Sequence, residues 1–246
     1  MTGIKELKTE KMLPDLLIEY EVEGYGETAP FLIKSGQLAE SQVSDRKSRS
    51  GMPKEYVYKS GNDFKWNFYP EDTIVQKKIA NAFVMNFDTF KKEGRGLYIY
   101  SKTKGSGKTL LSCCLANEVL KTNDISVKYI SMTEYIELQK MNNKEEKEDK
   151  VNSLLNCSLL IVDDIGATTY EKEWISEVIY RLVNRRYENI LPTIYTSNVS
   201  IDKLKCDERI KSRIEQVAIP VAMPEHSVRS DIARKLNKEF LNRVLA

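Results

Sequence analysis

Ser101-Lys102-Thr103-Lys104-Gly105-Ser106-Gly107-Lys108-Thr109 is the stretch of this sequence best equipped for chemistry. Glycines at 105 and 107 let consecutive backbone N–H groups curl around an anion, and a helix starting at Lys108 adds the positive end of its dipole. The Lys108 ammonium can then reach β and γ phosphates, and the Thr109 hydroxyl can ligate Mg²⁺. Gly105, Ser106, Gly107, Lys108 and Thr109 are therefore expected to cradle the phosphates of a nucleotide. The pattern GxxxxGK[ST] asks for glycine at 102, where Lys102 stands, so the turn out of the preceding strand must be made without glycine's freedom.

A phosphate site of this kind needs a carboxylate to hold the Mg²⁺ shell and poise water, offered from a neighbouring strand. Leu159-Leu160-Ile161-Val162-Asp163-Asp164 has that form, a buried apolar run whose charges emerge at its carboxyl end. Thr196-Ser197-Asn198 closes another strand with an amide suited to the γ-phosphate or the attacking water. Downstream, Arg209 and Arg213 lie four apart on one helical face, and Arg229 follows in Ser227-Val228-Arg229-Ser230. Arginine offers a rigid, permanently charged fork for phosphate, in cis or from a neighbouring subunit.

For these residues to meet, several strands must end beside one loop. Segments 97–100, 127–130, 159–162, 193–196 and 217–221 read as strands, and 74–90, 108–120, 133–141 and 173–187 as helices. The last helix has its apolar face at Trp174, Ile175, Val178, Ile179 and Leu182. Such alternation implies an α/β fold, a parallel five-stranded sheet flanked by helices, with ligands at the carboxyl ends of the strands. Ahead of it, Ile4, Leu7, Met12, Leu13, Leu16, Leu17 and Tyr20 recur at near-helical spacing around Pro14, so a small, mostly helical amino-terminal region is expected. The polar, basic stretch 41–53 reads as a solvated linker, dividing residues 1–50 from 51–246. The aromatic-rich segment 56–69 reads first as simple surface packing, with a wrap over the following domain as the alternative.

The chain has 246 residues, with 38 Lys plus Arg against 36 Asp plus Glu, 30% charged and 41% apolar. That composition builds a core and excludes wholesale disorder and a disulfide-stapled mini-protein, while a net charge of +2 argues against a histone-like DNA coat. The longest strongly apolar run, Leu159 to Val162, is far short of the roughly 20 residues that span a bilayer. The amino terminus carries no secretory signal pattern, so a cytoplasmic location away from the membrane is expected. Cys113, Cys114, Cys157 and Cys206 form no CxxC pair, and with His226 as the sole histidine they are expected to be reduced thiols rather than zinc ligands.

Taken in order, the phosphate loop, Asp163-Asp164-Ile165-Gly166, the Thr-Ser-Asn strand end, the Arg-Ile-x-x-Arg-Ile helix and the late Val-Arg-Ser resemble the DnaC/DnaI helicase-loader family of AAA+ ATPases, of which the transposition helper IstB is a close relative. Met52-Pro53-Lys54-Glu55-Tyr56 is similar to the Pro-x-x-Tyr/Phe segment that precedes the ATPase in these loaders, and the likeness covers about residues 50 to 240. The resemblance implies that Lys108 and Thr109 bind ATP and Mg²⁺, that Asp163 is the Walker B carboxylate and shares the metal with Thr109, and that Asp164 occupies the catalytic acid position. It further implies that Asn198 is sensor 1, Arg213 an arginine finger for a neighbour's nucleotide, and Arg229 the sensor 2 arginine. The implied activity is slow ATP hydrolysis, because many such ATPases carry the longer Glu where Asp164 stands. The implied partners are a DnaB-type replicative helicase hexamer, single-stranded DNA and other copies of the chain. The span 133–156 resembles in position the initiator-type helix insertion, although Lys140, Lys144, Lys147 and Lys150 are interleaved with acids and read as a solvated face. The amino-terminal part lacks the zinc-type Cys and His of the Gram-positive loaders. An IstB-like helper of a transposase, and a non-hydrolysing nucleotide-dependent adaptor or helicase inhibitor, are the alternative functions.

Overall fold

The computed structural model describes residues 11–12, 18–19, 40–166 and 173–244. Near the amino terminus, β1 (Lys11–Met12) and β2 (Ile18–Glu19) pair antiparallel, so these four residues are extended where a helical pair was expected. Pro14 between them carries no N–H and disfavours a continuous helix. The rest of that expected helical stretch lies outside the described residues.

The stretch expected as a linker is instead largely helix, α1 (Glu40–Ser48). Arg46, Lys47 and the following Ser50 dock it, while Gln42, Ser44, Asp45 and Ser48 stay exposed. Arg46 pairs with Asp124 and donates to the carbonyl of Asn123, Lys47 is buried, and Ser50 Oγ closes the helix end by donating to Lys47 O at 2.6 Å.

The main sheet contains β3 (Gly96–Tyr100), β4 (Val127–Ser131), β5 (Leu159–Asp163), β6 (Thr193–Ser197) and β7 (Ala218–Ala222). Its order is β4-β5-β6-β3-β7 and every neighbouring pair is parallel, as the alternation of elements implies. One face packs Leu97, Ile99, Leu159, Ile161 and Ile194 against α2 (Ile74–Met85), α3 (Phe87–Lys92) and α4 (Lys108–Thr122). The other packs Tyr98, Leu160, Val162 and Tyr195 against α5 (Met132–Gln139), α6 (Lys144–Asn156), α7 (Glu173–Glu188) and α8 (Glu208–Val217). Burial on both faces is why β5 reads as an unbroken apolar run, each such side chain contributing about 1.5–3 kcal/mol.

Two helix expectations change. The segment 74–90 breaks at Asn86, whose side-chain amide donates to Ala82 O at 3.1 Å, competing with the helical ladder. Trp174, assigned to the apolar face of α7, is 40% exposed in its first turn, whereas Val178, Ile179 and Leu182 are buried. The chain ends in α9 (Val228–Val244), which buries none of its residues and exposes Ile232, Leu236, Phe240 and Leu241. All four cysteines are free thiols, three of them buried.

Candidate functional site

The phosphate loop follows β3 and ends at Gly107, the amino-terminal cap of α4. Gly105 and Gly107 have φ of +77° and +86°, a region costly for other L-residues. The loop is also pressed from two sides. A Cβ at Gly105 would come within 2.9 Å of Arg229 and Ser227, and one at Gly107 within 2.8 Å of the Tyr69 hydroxyl. That second contact corrects the reading of residues 56–69 as surface packing. Phe64, Trp66 and Tyr69 are buried as one aromatic cluster, and Tyr69 donates to Ser106 O at 2.6 Å.

Lys108 Nζ donates to Ser101 O at 3.2 Å, Thr103 O at 3.1 Å and Ser106 Oγ at 3.3 Å. Burial lowers its pKa, opposed by the carboxylates of Asp164, Glu225 and Asp163. Its ammonium is held by neutral oxygens that phosphate oxygens can replace.

Asp163, at the end of β5, collects three hydroxyls. Thr109 Oγ1 donates to Oδ1 at 2.9 Å, Thr196 Oγ1 to Oδ1 at 2.6 Å, and Tyr129 Oη to Oδ2 at 2.8 Å. Burial and the Asp163 charge drive the Tyr129 phenol pKa far up, so it stays a donor. Asp164 takes φ +60°, a left-handed conformation that Asp tolerates better than most residues. Its N–H donates to Thr196 Oγ1 at 2.9 Å, and Asn198 Nδ2 donates to its Oδ1 at 2.9 Å. Burial in the cleft, then the neighbouring Asp163, raise the Asp164 pKa.

A cavity of about 350 Å³ lies among these groups, lined by residues 104–110, Asp164, Asn198, Arg229, Val228 and Ile232, together with Glu55 and Tyr56. Arg229 donates its N–H to Gly105 O at 3.1 Å. The fold thus gathers every expected site residue except Arg213. On α8, Arg213 donates from Nε to Asn184 Oδ1 at 3.1 Å and lies 4.5 Å over the Tyr187 ring, while Arg209 is held by Asp207. A wider hollow of about 620 Å³ runs along β4, but charges around it are engaged locally, Glu134 with Ser131, Lys150 with Glu146 and Lys128 with Arg49 O. The residues suited to phosphate line the smaller cavity.

Tyr129, Thr196 and Glu225 were not singled out in the sequence. Thr196 lies within the Thr-Ser-Asn signature and was open to recognition there. Tyr129 and Glu225 carry no local signal, because their roles arise from strand register and from a connection 122 residues away from Thr103.

The family model described as IstB-like ATP binding protein matches residues 37–208. The chain belongs to the IstB-like ATP binding protein family. Among curated relatives, this IstB-like chain is 33% identical over 131 residues to the replicative helicase loader DnaI of Bacillus subtilis (strain 168), covering 53% of this chain and 42% of that protein. It is 29% identical over 122 residues to the replicative helicase loader DnaC of Escherichia coli (strain K12), covering 48% of this chain and 49% of that one. The chain therefore spans about half the length of the curated relatives it matches. A crystal structure of DnaI superposes with a TM-score of 0.62 at 25% identity, over 74% of this chain and 98% of that one. The IstB-like protein is of the DnaC/DnaI-type AAA+ class, with the parallel sheet that class implies.

Proposed function

We propose that this protein is an ATP-dependent loader of a DnaB-type replicative helicase hexamer. The observation that carries the reading is the convergence of Lys108, Thr109, Asp164, Asn198 and Arg229 on one cavity, with Asp163 hydrogen-bonded to Thr109 at its edge, in a chain similar to two helicase loaders. ATP, when bound, supplies the phosphoanhydride whose cleavage changes the protein's state. Lys108 would hold the phosphates in place of its three neutral partners, together with the N–H groups at the start of α4.

Among the described residues no three His, Cys, Asp or Glu side chains gather into a metal cage. A Mg²⁺ ion would rest on Thr109 Oγ1, Asp163 and phosphate oxygens, an all-oxygen set suited to this hard cation. Asp164 accepts the proton of the attacking water while Asn198 orients its carboxylate. The short reach of Asp and its raised pKa support slow turnover.

Arg213 lies outside its own chain's cavity, which supports its acting on the nucleotide of an adjacent copy. The uncovered apolar residues of α9, which starts at the cavity, support side-by-side association of the ATPase domains. Residues 1–50 serve as the helicase contact, α1 anchoring that region to the ATPase domain at 51–246, and the assembled domains hold single-stranded DNA. The family match also favours a second reading, an IstB-like helper of a transposase. Native mass spectrometry of the full chain mixed with the cognate helicase hexamer, with and without ATP, decides between them. A discrete complex with several copies per hexamer is expected. No complex in any nucleotide state, together with a preference for duplex over single-stranded DNA, would overturn the loader reading in favour of the transposase helper.

A further inference from the structure

Lys102 replaces the glycine that usually opens a phosphate loop, yet this half of the loop is the more heavily tethered one. Glu225, in the connection between β7 and α9, accepts the Lys102 N–H on Oε1 at 2.9 Å and the Thr103 N–H on Oε2 at 2.8 Å. The same Oε2 accepts the Thr103 hydroxyl at 2.8 Å and the Ser101 hydroxyl at 3.2 Å. The connection touches the loop at both ends as well, through Met223 N–H to Tyr100 O at 2.7 Å and Arg229 N–H to Gly105 O at 3.1 Å.

Among non-glycine described residues only Asp164 and Ile190 have positive φ, so Lys102 and Thr103 leave β3 in backbone conformations open to any L-residue. The N–H groups of that turn then need an acceptor, and a carboxylate is a strong one for two parallel donors. Ser101 and Thr103 also supply the carbonyls on which Lys108 Nζ rests, so anything that shifts this turn shifts the lysine.

We propose that Glu225 is a positioning residue for nucleotide binding, its carboxylate fixing the Lys102–Thr103 turn in place of the missing glycine and tying α9 to the phosphate loop. The proposal rests on reading the cavity as the ATP site. Glu225 does not line the cavity, so its effect is on how the loop is presented to phosphate rather than on the chemical step.

The test is titration of MgATP into the full chain and into Glu225→Gln, Glu225→Ala and Lys108→Ala, with steady-state turnover and hydrogen exchange of the Lys102 and Thr103 amides. Glu225→Gln keeps the side-chain volume but turns an NH₂ toward one N–H, a lost charge-assisted bond expected to weaken ATP binding about tenfold. KM should rise by a similar factor with kcat within about twofold, and exchange at Lys102 and Thr103 should quicken while β6 stays protected. Glu225→Ala should act in the same direction and further. ATP affinity and KM unchanged in Glu225→Gln would overturn the proposal, whatever the thermal stability or folding of Glu225→Ala. Should Lys108→Ala bind ATP as tightly as wild type, the reading of the cavity itself would fall. Loss of binding in Lys108→Ala with both Glu225 variants intact would remove the Glu225 role alone.

Discussion

Asp163 meets three hydroxyls from three separate elements, and this convergence makes β5 end as a site rather than as a turn. Next to it, Asp164 has a raised pKa through burial and through the Asp163 charge, which gives two expectations. On the proposed function Asp164 works as the carboxylate, so turnover should climb as pH rises from the ordinary Asp range through the raised value, and a pH–rate profile reads this directly. For stability the sign is opposite. The folded chain holds this proton more tightly than the unfolded one, so ionisation of Asp164 lowers stability as pH rises through that same window. Asp164→Asn should therefore abolish turnover yet melt at or above the wild-type temperature at neutral pH, with the gain vanishing below the window. Removing the Lys108 ammonium takes away charge-assisted bonds to phosphate, and Lys108→Ala should weaken ATP by about 2–4 kcal/mol, roughly 30- to 1,000-fold. Most of this was legible in the sequence, because Gly105 to Thr109 and Asp163-Asp164 are contiguous and their chemistry is local. Tyr129 was not, since only the parallel register of β4 on β5 brings its hydroxyl to Asp163.

At the scale of elements, the parallel strands and their helices followed from apolar runs and periodicity, with ends displaced by a residue or two. Two of the misreadings share one cause, which is that polar or aromatic composition was taken for a surface position. The basic stretch now seen as α1 docks through Arg46 and Lys47, and the aromatic segment packs under the phosphate loop. Tyr69→Phe leaves Ser106 O without that donor and should cost about 1 kcal/mol in a denaturant titration while weakening ATP binding modestly. A buried arginine of α7 is a stronger case. Arg186 is 1% exposed and, among the described residues, has no carboxylate partner. Its guanidinium instead donates to Leu154 O, Cys157 O and Pro192 O, joining the end of α6 to the entry of β6, and burial lowers its pKa. Arg186→Met should orphan these carbonyls and cost about 3–5 kcal/mol, which calorimetry would record as a melting point lower by roughly 10 °C.

At the scale of the whole molecule, the absence of Arg213 from the lining of its own cavity is the feature that bears most on the proposed function. If it completes a neighbour's site, Arg213→Ala should bind ATP with wild-type affinity yet lose most turnover, about 10³-fold where an arginine finger dominates. Mixing it with Lys108→Ala should restore part of the activity, since one chain supplies an intact cavity and the other an intact arginine. Turnover of the wild type should also rise more steeply than linearly with protein concentration. The measurement that tests the central claim most directly is a crystal structure of the full chain with Mg²⁺ and a non-hydrolysable ATP analogue. The expected result is a triphosphate along residues 104–109, Lys108 Nζ moved from Ser101 O and Thr103 O onto it, and Arg213 of an adjacent copy facing the γ-phosphate. An analogue bound elsewhere, with Lys108 still on those two carbonyls, would contradict the account.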